Sequence, residues 1–472
     1  MKNAIVRMES VEIKNVKNVG YGYINFQNTS EKFNSSILGL YGQNGSGKTA
    51  LIDSLALLKF ALSGQSVPKQ FADYISVDSD SATLKYEFKV INQAEQVFYS
   101  AFYEFSIRKD MDDSNHNDDQ INVASETYKT TIFNEVLSYA YENKKMGEKF
   151  KLSSLVDTRT DEVFAPSTKY QVLVGNAKET TTNMLVAKKI ASVASRSFVF
   201  SRELLNTIRK NCMEKRHLFL FESLIFFGNY ELFVINTTNS GLISLNALPL
   251  AFNLKDGNRA SIGSLMINLN KPSLIPENAF KTVEKVIENM NIVLVQLVPG
   301  LTISVKNLGT QINKNGSTDC RIQLMSQKNN REIPLQYESE GIKKIVSILQ
   351  LLIVVYNNPS MTIAIDELDS GIFEYLLGEF LKIISEKGKG QLIFTSHNLR
   401  ALETLDKGFI AFTTTNPQKR YIRMTNVKAT NNLRNFYYRD IILGEQTESV
   451  YEPTNNYEIA LAFRKAGDTS GS

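Results

Sequence analysis

The sequence predicts an α/β fold with a mixed central sheet, an antiparallel β lobe and a helical insertion. First, the apolar run Ile37–Tyr41 is followed by a glycine-rich loop and then by leucines at helical spacing. Second, two short apolar runs, Met361–Ile365 and Gln391–Thr395, alternate with helical patterns, as is typical of a parallel sheet. Third, the aromatic-rich segments between residues 83 and 156 alternate apolar and polar residues, which indicates antiparallel strands.

The composition is that of an ordinary globular protein. The 472 residues suffice for two or three domains of about 150 residues each. The net charge of +4 neither requires nor excludes a nucleic-acid partner. Cys212 and Cys320 lie far apart and form no C-x-x-C pair, so we expect a reducing compartment and no structural zinc site. The sequence shows no signal peptide and no apolar run of about 18 residues, which predicts a cytoplasmic protein.

The glycine-rich loop carries the first sign of chemistry. Residues 42–49 match G-x-x-x-x-G-K-[ST] between a predicted strand and a predicted helix, the order that a phosphate-binding loop of a P-loop NTPase requires. The backbone N–H groups and the helix N-terminus then face phosphates. We expect Lys48 to contact the β- and γ-phosphates and Thr49 to bind Mg²⁺. The predicted nucleotide contacts in this loop are Gly42, Asn44, Gly45, Ser46, Gly47, Lys48 and Thr49.

Alternating segments on both sides of this loop predict antiparallel strands. Glu9–Asn15 and Tyr21–Phe26 form a predicted hairpin before the loop. The strands predicted for the β lobe are Thr83–Val90, Gln96–Ile107, Thr127–Tyr139 and Phe150–Val156. Asp110–Asp119 contains five aspartates but lacks the glycine and the final glutamate of an EF-hand, so a solvated hairpin tip is favoured over a metal site.

The middle of the chain predicts an insertion. Lys178–Phe227 has a helical pattern, Tyr230–Leu254 is strand-like and irregular, and Pro276–Val298 predicts an amphipathic helix. The predicted domains are residues 1–65 and 331–415 for the two parts of an ATPase core, 66–175 for the β lobe, 176–330 for a mainly helical, partner-specific insertion and 416–472 for a C-terminal extension.

The second group of candidate residues follows the two buried strands near the C-terminus. Asp366 and Glu367 end the first strand, and His397 comes just after the second. Opposite a phosphate loop, Asp366 would hold Mg²⁺ and Glu367 would polarise the attacking water, because phosphoryl transfer depends on positioning and charge stabilisation. His397 is placed to hydrogen-bond the γ-phosphate and this water.

Together these motifs resemble those of ATPases of the ABC class, in the branch of RecF, SMC and the overcoming-lysogenization-defect (OLD) proteins. Residues 42–49 resemble the Walker A motif, 363–367 the Walker B motif, 368–371 the D-loop and 394–397 the switch histidine. Residues 338–343 resemble the signature motif, although Glu340 and Ile342 depart from L-S-G-G-Q. Residues 15–18 resemble an element whose basic residue approaches the nucleotide.

The resemblance implies further site residues and a dimer. Lys17, Asn18 and Asp369 are expected near the nucleotide. Ser339 and Gly341 begin a helix that would close the site of the opposite protomer, so the expected unit is a homodimer or higher homo-oligomer with ATP between its ABC-type ATPase heads. Gln65, Gln70 and Gln96 remain equal candidates for the Q-loop glutamine.

The intermediate helical insertion, the tight C-terminus and the Ser-Glu-Gly core of the signature at residues 339–341 resemble most closely those of AAA15/OLD-type ATPases, which are common in bacterial anti-phage defence such as PARIS and abortive infection. This resemblance implies an ATP-driven switch that controls a separate effector, a nuclease or a toxin. A RecF-like DNA-binding or repair ATPase and a stand-alone effector are the alternatives. Basic and aromatic residues alternate between 420 and 439, a pattern that suits either nucleic acid, an acidic partner or a solvated surface.

Overall fold

The computed structural model describes residues 4–27, 35–111, 128–236, 247–256, 259–313, 315–329, 331–425, 432–444 and 446–468. Its architecture is α/β, and its two largest sheets, one antiparallel and one mostly parallel, lie on opposite sides of a buried helix. The predicted fold class is thereby confirmed. No helix in these ranges is both long and apolar enough to span a membrane.

The antiparallel sheet has six strands. They are β1 (Ala4–Val16), β2 (Val19–Asn25), β4 (Ser81–Asn92), β5 (Val97–Met111), β6 (Tyr128–Asn143) and β7 (Glu148–Asp157). Their order in the sheet is β2-β1-β4-β5-β6-β7. The predicted hairpin before the phosphate loop is present, because β1 pairs with β2 in antiparallel register. β1 also pairs with β4, so the hairpin and the predicted β lobe form a single sheet that crosses the expected boundary at residue 65.

The second sheet also has six strands. They are β3 (Ser36–Tyr41), β8 (Leu232–Ile235), β15 (Thr362–Ile365), β16 (Gln391–Thr395), β17 (Ile410–Thr413) and β18 (Tyr421–Ile422). Their order is β18-β17-β3-β16-β15-β8, and all neighbours are parallel except β17 and β18. The carboxyl ends of β3, β15 and β16 therefore lie at one edge, which places the phosphate loop beside Asp366, Glu367 and His397.

The helix α1 (Lys48–Ser63) fills the space between the two sheets. Leu51, Leu55 and Leu58 are fully buried, and the cluster that contains them joins residues of both sheets. On the other face of the parallel sheet, α7 (Glu340–Asn357) and α8 (Glu374–Lys387) belong to a second apolar cluster. Burial on nearly all sides explains why α1 is apolar almost all round.

The helices that follow the β lobe cover most of the segment with the predicted helical pattern, residues 178–227. α2 (Ser167–Leu173), α3 (Lys178–Val193), α4 (Arg202–Asn211) and α5 (Lys215–Phe226) follow the β lobe. After β8, the remaining elements of this region are β9 (Ala247–Asp256), β10 (Arg259–Asn268), β11 (Ser273–Pro276), α6 (Phe280–Leu297), β12 (Thr302–Ile312) and β13 (Thr318–Lys328). The described part of residues 232–330 is thus mostly strands with one long helix, and helices predominate only in the first part of the predicted insertion.

The remaining elements are a short strand before α7 and the C-terminal helices. β14 (Arg331–Pro334) pairs with β13 and leads into α7. The C-terminal helices are α9 (Ala401–Thr404), α10 (Leu433–Leu443) and α11 (Asn456–Asp468). Residues 112–119 of the aspartate-rich segment lie outside the described residues, so both interpretations of that segment stay predictions.

Candidate nucleotide-binding site

The phosphate loop has a backbone conformation that depends on glycine. Gly45 and Gly47 have φ values of 73° and 92°, which L-residues with side chains rarely adopt. A Cβ atom on Gly47 would also lie 2.9 Å from Val19 Cγ2. The hydroxyl of Tyr421 donates a hydrogen bond to Gly47 O at 2.9 Å, so a strand from the C-terminal part of the chain supports the loop.

Lys48 is the first residue of α1 and lies near the end of the phosphate loop. Its ammonium group donates hydrogen bonds to Gly42 O at 2.8 Å and to Gln43 O at 2.9 Å. Burial lowers the pKa of Lys48, and the carboxylates of Asp366 and Glu367 oppose that effect. Lys48 is thus a buried cation near the carboxylates of Asp366 and Glu367. Its positive charge would stabilise a phosphate group bound in the loop.

Asp366 and Glu367 are positioned by the neighbouring strand. The Thr395 hydroxyl donates to Asp366 Oδ1 at 2.6 Å and accepts from the backbone N–H of Glu367 at 2.8 Å. Glu367 has a φ of 49°, an uncommon value for a residue with a side chain. Such strain is frequent at functional sites, where the surrounding contacts hold it in place.

Asp369 links the predicted D-loop to the turn that carries His397. Its Oδ2 atom accepts hydrogen bonds from the backbone N–H groups of His397 and Asn398 at 3.1 and 3.0 Å. Asp369 therefore acts on the site through the His397 turn and is not among the residues that line the cleft.

The residues around these groups form a cleft of about 450 Å³. Most of the predicted site residues line it. They are Lys17, Asn18, Asn44, Gly45, Ser46, Gly47, Lys48, Thr49, Asp366, Glu367 and His397. Ala50 and Thr395, which were not predicted, also line the cleft. None of the three Q-loop candidates lines it.

Lys17 and Asn18 approach the phosphate loop from the β1–β2 turn. The side-chain amide of Asn18 donates to Gly45 O, and the Lys17 ammonium forms an ion pair with Asp53. Lys17 also lies 3.9 Å from the centre of the Tyr74 ring. These contacts bring the basic residue to the rim of the cleft.

Asp53 is a buried residue that positions the Lys17 side chain, and the sequence interpretation missed it. Its carboxylate is fully buried on α1 and binds both Lys17 and the side-chain amide of Asn236, the latter at 2.8 Å. Burial raises the pKa of Asp53, while Lys17 opposes the rise. An acidic residue within an otherwise apolar helix was the available signal, because a buried carboxylate requires a partner.

The two predicted signature residues lie outside the cleft, at the start of α7. The hydroxyl of Ser339 caps this helix by accepting a hydrogen bond from Ile342 N at 3.3 Å. A Cβ atom on Gly341 would lie only 2.4 Å from Gly371 O, so the helix start packs closely on the D-loop. Neither Ser339 nor Gly341 lines the cleft of its own chain.

The basic residues near the C-terminus are mostly structural. Arg420 is buried and donates to Thr414 O and Asn18 O, and Arg423 donates to Gly408 O and Asn25 O. Arg434 pairs with Glu403. A guanidinium that is committed to backbone carbonyls is not available to phosphates, so the structure does not support the interpretation of Arg420 and Arg423 as a nucleic-acid surface. Lys428 lies outside the described residues.

The residues of the cleft fit a magnesium nucleotide. The phosphate loop supplies backbone N–H groups and Lys48, and Thr49 and Asp366 supply the hydroxyl and carboxylate oxygens that Mg²⁺ prefers. Within the described residues there is no group of three His, Cys, Asp or Glu side chains that could form a metal site by itself. Magnesium commonly takes one or two carboxylates and completes its shell with phosphates and water.

Several solved structures are similar to the chain over most of its length. An SMC head domain with a coiled coil from Pyrococcus yayanosii has 11% identity and a TM-score of 0.39, with 92% of this chain and 100% of that chain covered. The SMC head domain from Thermotoga maritima has 12% identity and a TM-score of 0.33, with 89% and 99% covered. The recombination mediator protein RecF-ATPrS of the RecFOR pathway has 12% identity and a TM-score of 0.35, with 88% and 98% covered.

A comparison with curated proteins finds no match. The family model of the RecF/RecN/SMC N-terminal domain matches residues 7–420, which include the phosphate loop, the Walker B carboxylates and His397. The expected membership of the ABC-class ATPases is therefore confirmed at this level. The chain belongs to the RecF/RecN/SMC N-terminal domain family of ATPases.

Proposed function

We propose that the protein binds and hydrolyses ATP between two copies of itself and acts as a molecular switch. In this proposal Lys48 and the loop N–H groups hold the phosphates, and Thr49 and Asp366 hold Mg²⁺, which neutralises phosphate charge when bound. Glu367 orients and polarises the water, and His397 hydrogen-bonds the γ-phosphate and the water.

The observation that carries the proposal is the position of the signature residues. The cleft of one chain contains the phosphate loop, the carboxylates and His397, but Ser339 and Gly341 lie outside it at a helix N-terminus. A helix N-terminus suits an anion. A second chain that places this N-terminus against the γ-phosphate would complete the site, so ATP would favour the closed dimer and hydrolysis would release it.

Two variants test the assigned roles within one chain. Lys48→Ala removes a phosphate contact, so we expect weaker ATP binding and no hydrolysis. Glu367→Gln leaves the phosphate and Mg²⁺ contacts in place, so we expect ATP to stay bound without turnover. Binding of a fluorescent ATP analogue and release of phosphate distinguish the two. An equal loss of nucleotide binding in both variants would contradict the assignment.

A mixture of two inactive variants tests the shared site. Lys48→Ala disables the phosphate side and Ser339→Arg disables the signature side. In an equal mixture about half of the dimers are mixed, and each mixed dimer retains one of its two sites intact. We expect about a quarter of the wild-type ATPase activity to return, against almost none for either variant alone. No recovery from the mixture, or unchanged hydrolysis by the Ser339→Arg variant, would refute the shared site.

We further propose that the switch belongs to a bacterial anti-phage defence system and controls a separate nuclease or toxin. The support is the resemblance of the motifs and of the insertion length to AAA15/OLD-type ATPases. In the described part of residues 66–330 the longest helix is the 18-residue α6, which is shorter than a coiled-coil arm. The insertion, residues 66–330, would then carry the specificity for the partner, because the nucleotide residues lie mainly outside it.

The defence proposal has a direct test. The protein is expressed with its neighbouring gene in a sensitive bacterium, which is then challenged with a panel of phages. Protection that requires both genes and is lost in Lys48→Ala supports the proposal. A panel without any protection, together with tight ATP-dependent DNA binding that weakens steeply with salt, would favour the RecF-like alternative.

A further inference from the structure

The C-terminal helix α11 is exposed along its length. All residues from 452 to 467 are exposed, although the helix contains several large apolar side chains. Tyr457 and Phe463 are each 77% exposed, and Ile459 and Leu461 are exposed as well. A helix of 13 residues is marginally stable in water without a surface to pack on. Exposed apolar residues at this density therefore indicate a docking element.

The segment that leads into α11 is anchored beside the phosphate loop. The backbone N–H of Glu452 donates to the Gln43 side-chain oxygen at 2.9 Å, and Gln43 belongs to the loop. Just before it, Val450 is buried, and Ser449 O accepts a hydrogen bond from Thr415 N at 2.8 Å. α11 thus starts within a few residues of the rim of the nucleotide cleft.

A complementary apolar surface flanks the signature residues. Tyr337, Phe373 and Tyr375, the aromatic patch, are 71%, 72% and 55% exposed. Tyr337 precedes the signature residues, and the other two follow the D-loop glycine that packs against Gly341. The chain segments that carry the patch therefore meet at the start of α7.

The proposed ATP-bound dimer brings the two features together. In that dimer the phosphate loop of one protomer faces the signature residues of its partner, so α11 emerges opposite the partner's aromatic patch. Arg464 and Lys465 near the end of α11 can also pair with Glu374, which is exposed beside the patch. We propose that α11 of each protomer docks on the aromatic patch of a second copy of this chain and secures the closed dimer. This inference rests on the proposed function.

Equilibrium sedimentation with ATP and Mg²⁺ tests the contact in the Glu367→Gln background, where ATP is retained. Phe463→Asp on α11 and Phe373→Asp on the patch should each weaken dimerisation at least tenfold. Aspartate is a favoured residue at a helix start, so the Phe373 variant should retain α8. Ile312→Asp is the matched control, because Ile312 is also 77% exposed but lies on β12, and it should leave dimerisation unchanged.

The double variant Phe463→Asp with Phe373→Asp separates direct contact from two independent effects. If the two side chains meet across the dimer, the double variant should weaken dimerisation by clearly less than the product of the two single effects. Independent effects would multiply, and this result would overturn the inference.

A photo-crosslink identifies the surface that receives α11. A benzophenone maleimide is attached to Phe463→Cys in a Cys212→Ser background, which leaves only the buried Cys320. Chains with and without the benzophenone label are mixed and illuminated in the presence of ATP. The linked peptides are then identified by mass spectrometry. We expect links to the segments around Tyr337 or Phe373 that join a labelled to an unlabelled chain. Links within one chain, or links to any other surface, would overturn the inference.

These experiments separate failure of the inference from failure of the proposed function. If the Glu367→Gln protein does not dimerise with ATP, the shared nucleotide site is wrong and the docking of α11 falls with it. If that protein dimerises but Phe463→Asp dimerises equally well, only the docking of α11 is refuted and the shared site stands.

Discussion

Lys344 is a buried cation behind the Walker B residues, and its replacement by methionine should separate stability from activity. The side chain lies on α7 and is 4% exposed. Its ammonium group donates to Glu367 O at 3.1 Å, at the residue with the strained backbone. Methionine has a similar length, so Lys344→Met removes the charge and the hydrogen bond with little change of volume.

The effect on stability follows from the pKa. Burial lowers the pKa of Lys344 from 10.5 to about 8, although the three nearby carboxylates oppose this. At neutral pH the charged lysine therefore costs the folded protein about 3 kcal/mol relative to the unfolded chain. The lost hydrogen bond and the unsatisfied carbonyl offset about 2 kcal/mol of the gain. We expect the Lys344→Met protein to be more stable by about 1 kcal/mol at pH 7.

The sign of the pH dependence is fixed by the lowered pKa. Below pH 8 the lysine is charged in both states and the full cost applies, whereas the cost disappears as the pH rises toward 10.5. The stability gain of Lys344→Met should therefore be larger at pH 7 than at pH 9.5. Urea unfolding of the nucleotide-free protein at both pH values measures this difference.

Activity should change in the opposite direction. Without the contact from Lys344, the backbone of Glu367 is held by fewer groups, so kcat should fall at least tenfold with little change in the KM for ATP. Lys59→Met is the matched control, because burial also lowers the pKa of Lys59 to about 8 and its ammonium donates to Gly228 O and Leu232 O, away from the cleft. An equal loss of kcat in both variants would refute a specific role of Lys344 in positioning Glu367.

Three further variants test the structure more widely. Burial raises the pKa of Glu231 from 4.5 to about 7, so ionisation of this carboxyl destabilises the fold at higher pH. In urea unfolding, Glu231→Gln should therefore add about 3 kcal/mol to the free energy of unfolding at pH 8 and almost nothing at pH 4. Gly341→Ala should weaken ATP-dependent dimerisation in sedimentation experiments while monomers still bind nucleotide, because the new Cβ meets Gly371 O at 2.4 Å. Lys17→Met should destabilise the protein by about 3 kcal/mol, since it leaves the buried Asp53 carboxylate without its cationic partner, and adding Asp53→Asn should recover most of the loss in thermal unfolding.

Local patterns predicted the elements that carry the motifs. The phosphate loop, the strand before it and the helix after it are contiguous, so fixed spacing and periodicity were enough to place them. The same holds for the hairpin of β1 and β2 and for the strands β15 and β16, which are followed directly by the polar residues Asp366 and Ser396. In these cases a few neighbouring residues determine the local structure.

The contacts that tie the site together could not be read from local patterns. β8 joins the parallel sheet beside β15 although more than a hundred residues separate the two strands. Tyr421 donates to the phosphate loop from the far end of the chain, and Arg420 donates to Asn18 O in the neighbouring β1–β2 turn. The alternation of Cys320, Ile322 and Leu324 is typical of a strand, but the pairing of β13 with β11, β12 and β14 joins residues that are not adjacent in the sequence. Each of these features depends on residues that only the fold brings together.

Hydrogen bonds of Thr395 and Asp369 connect the residues at the carboxyl end of the parallel sheet to one another. Thr395 joins the ends of β15 and β16, and Asp369 joins the D-loop to the turn of His397. The D-loop in turn packs on Gly341 at the start of α7. A shift of α7 that follows engagement of a partner's nucleotide would therefore reach Glu367 and His397 through packed backbone and hydrogen bonds, without a flexible intermediate. Such coupling is what a switch needs if hydrolysis is to depend on closure of the dimer.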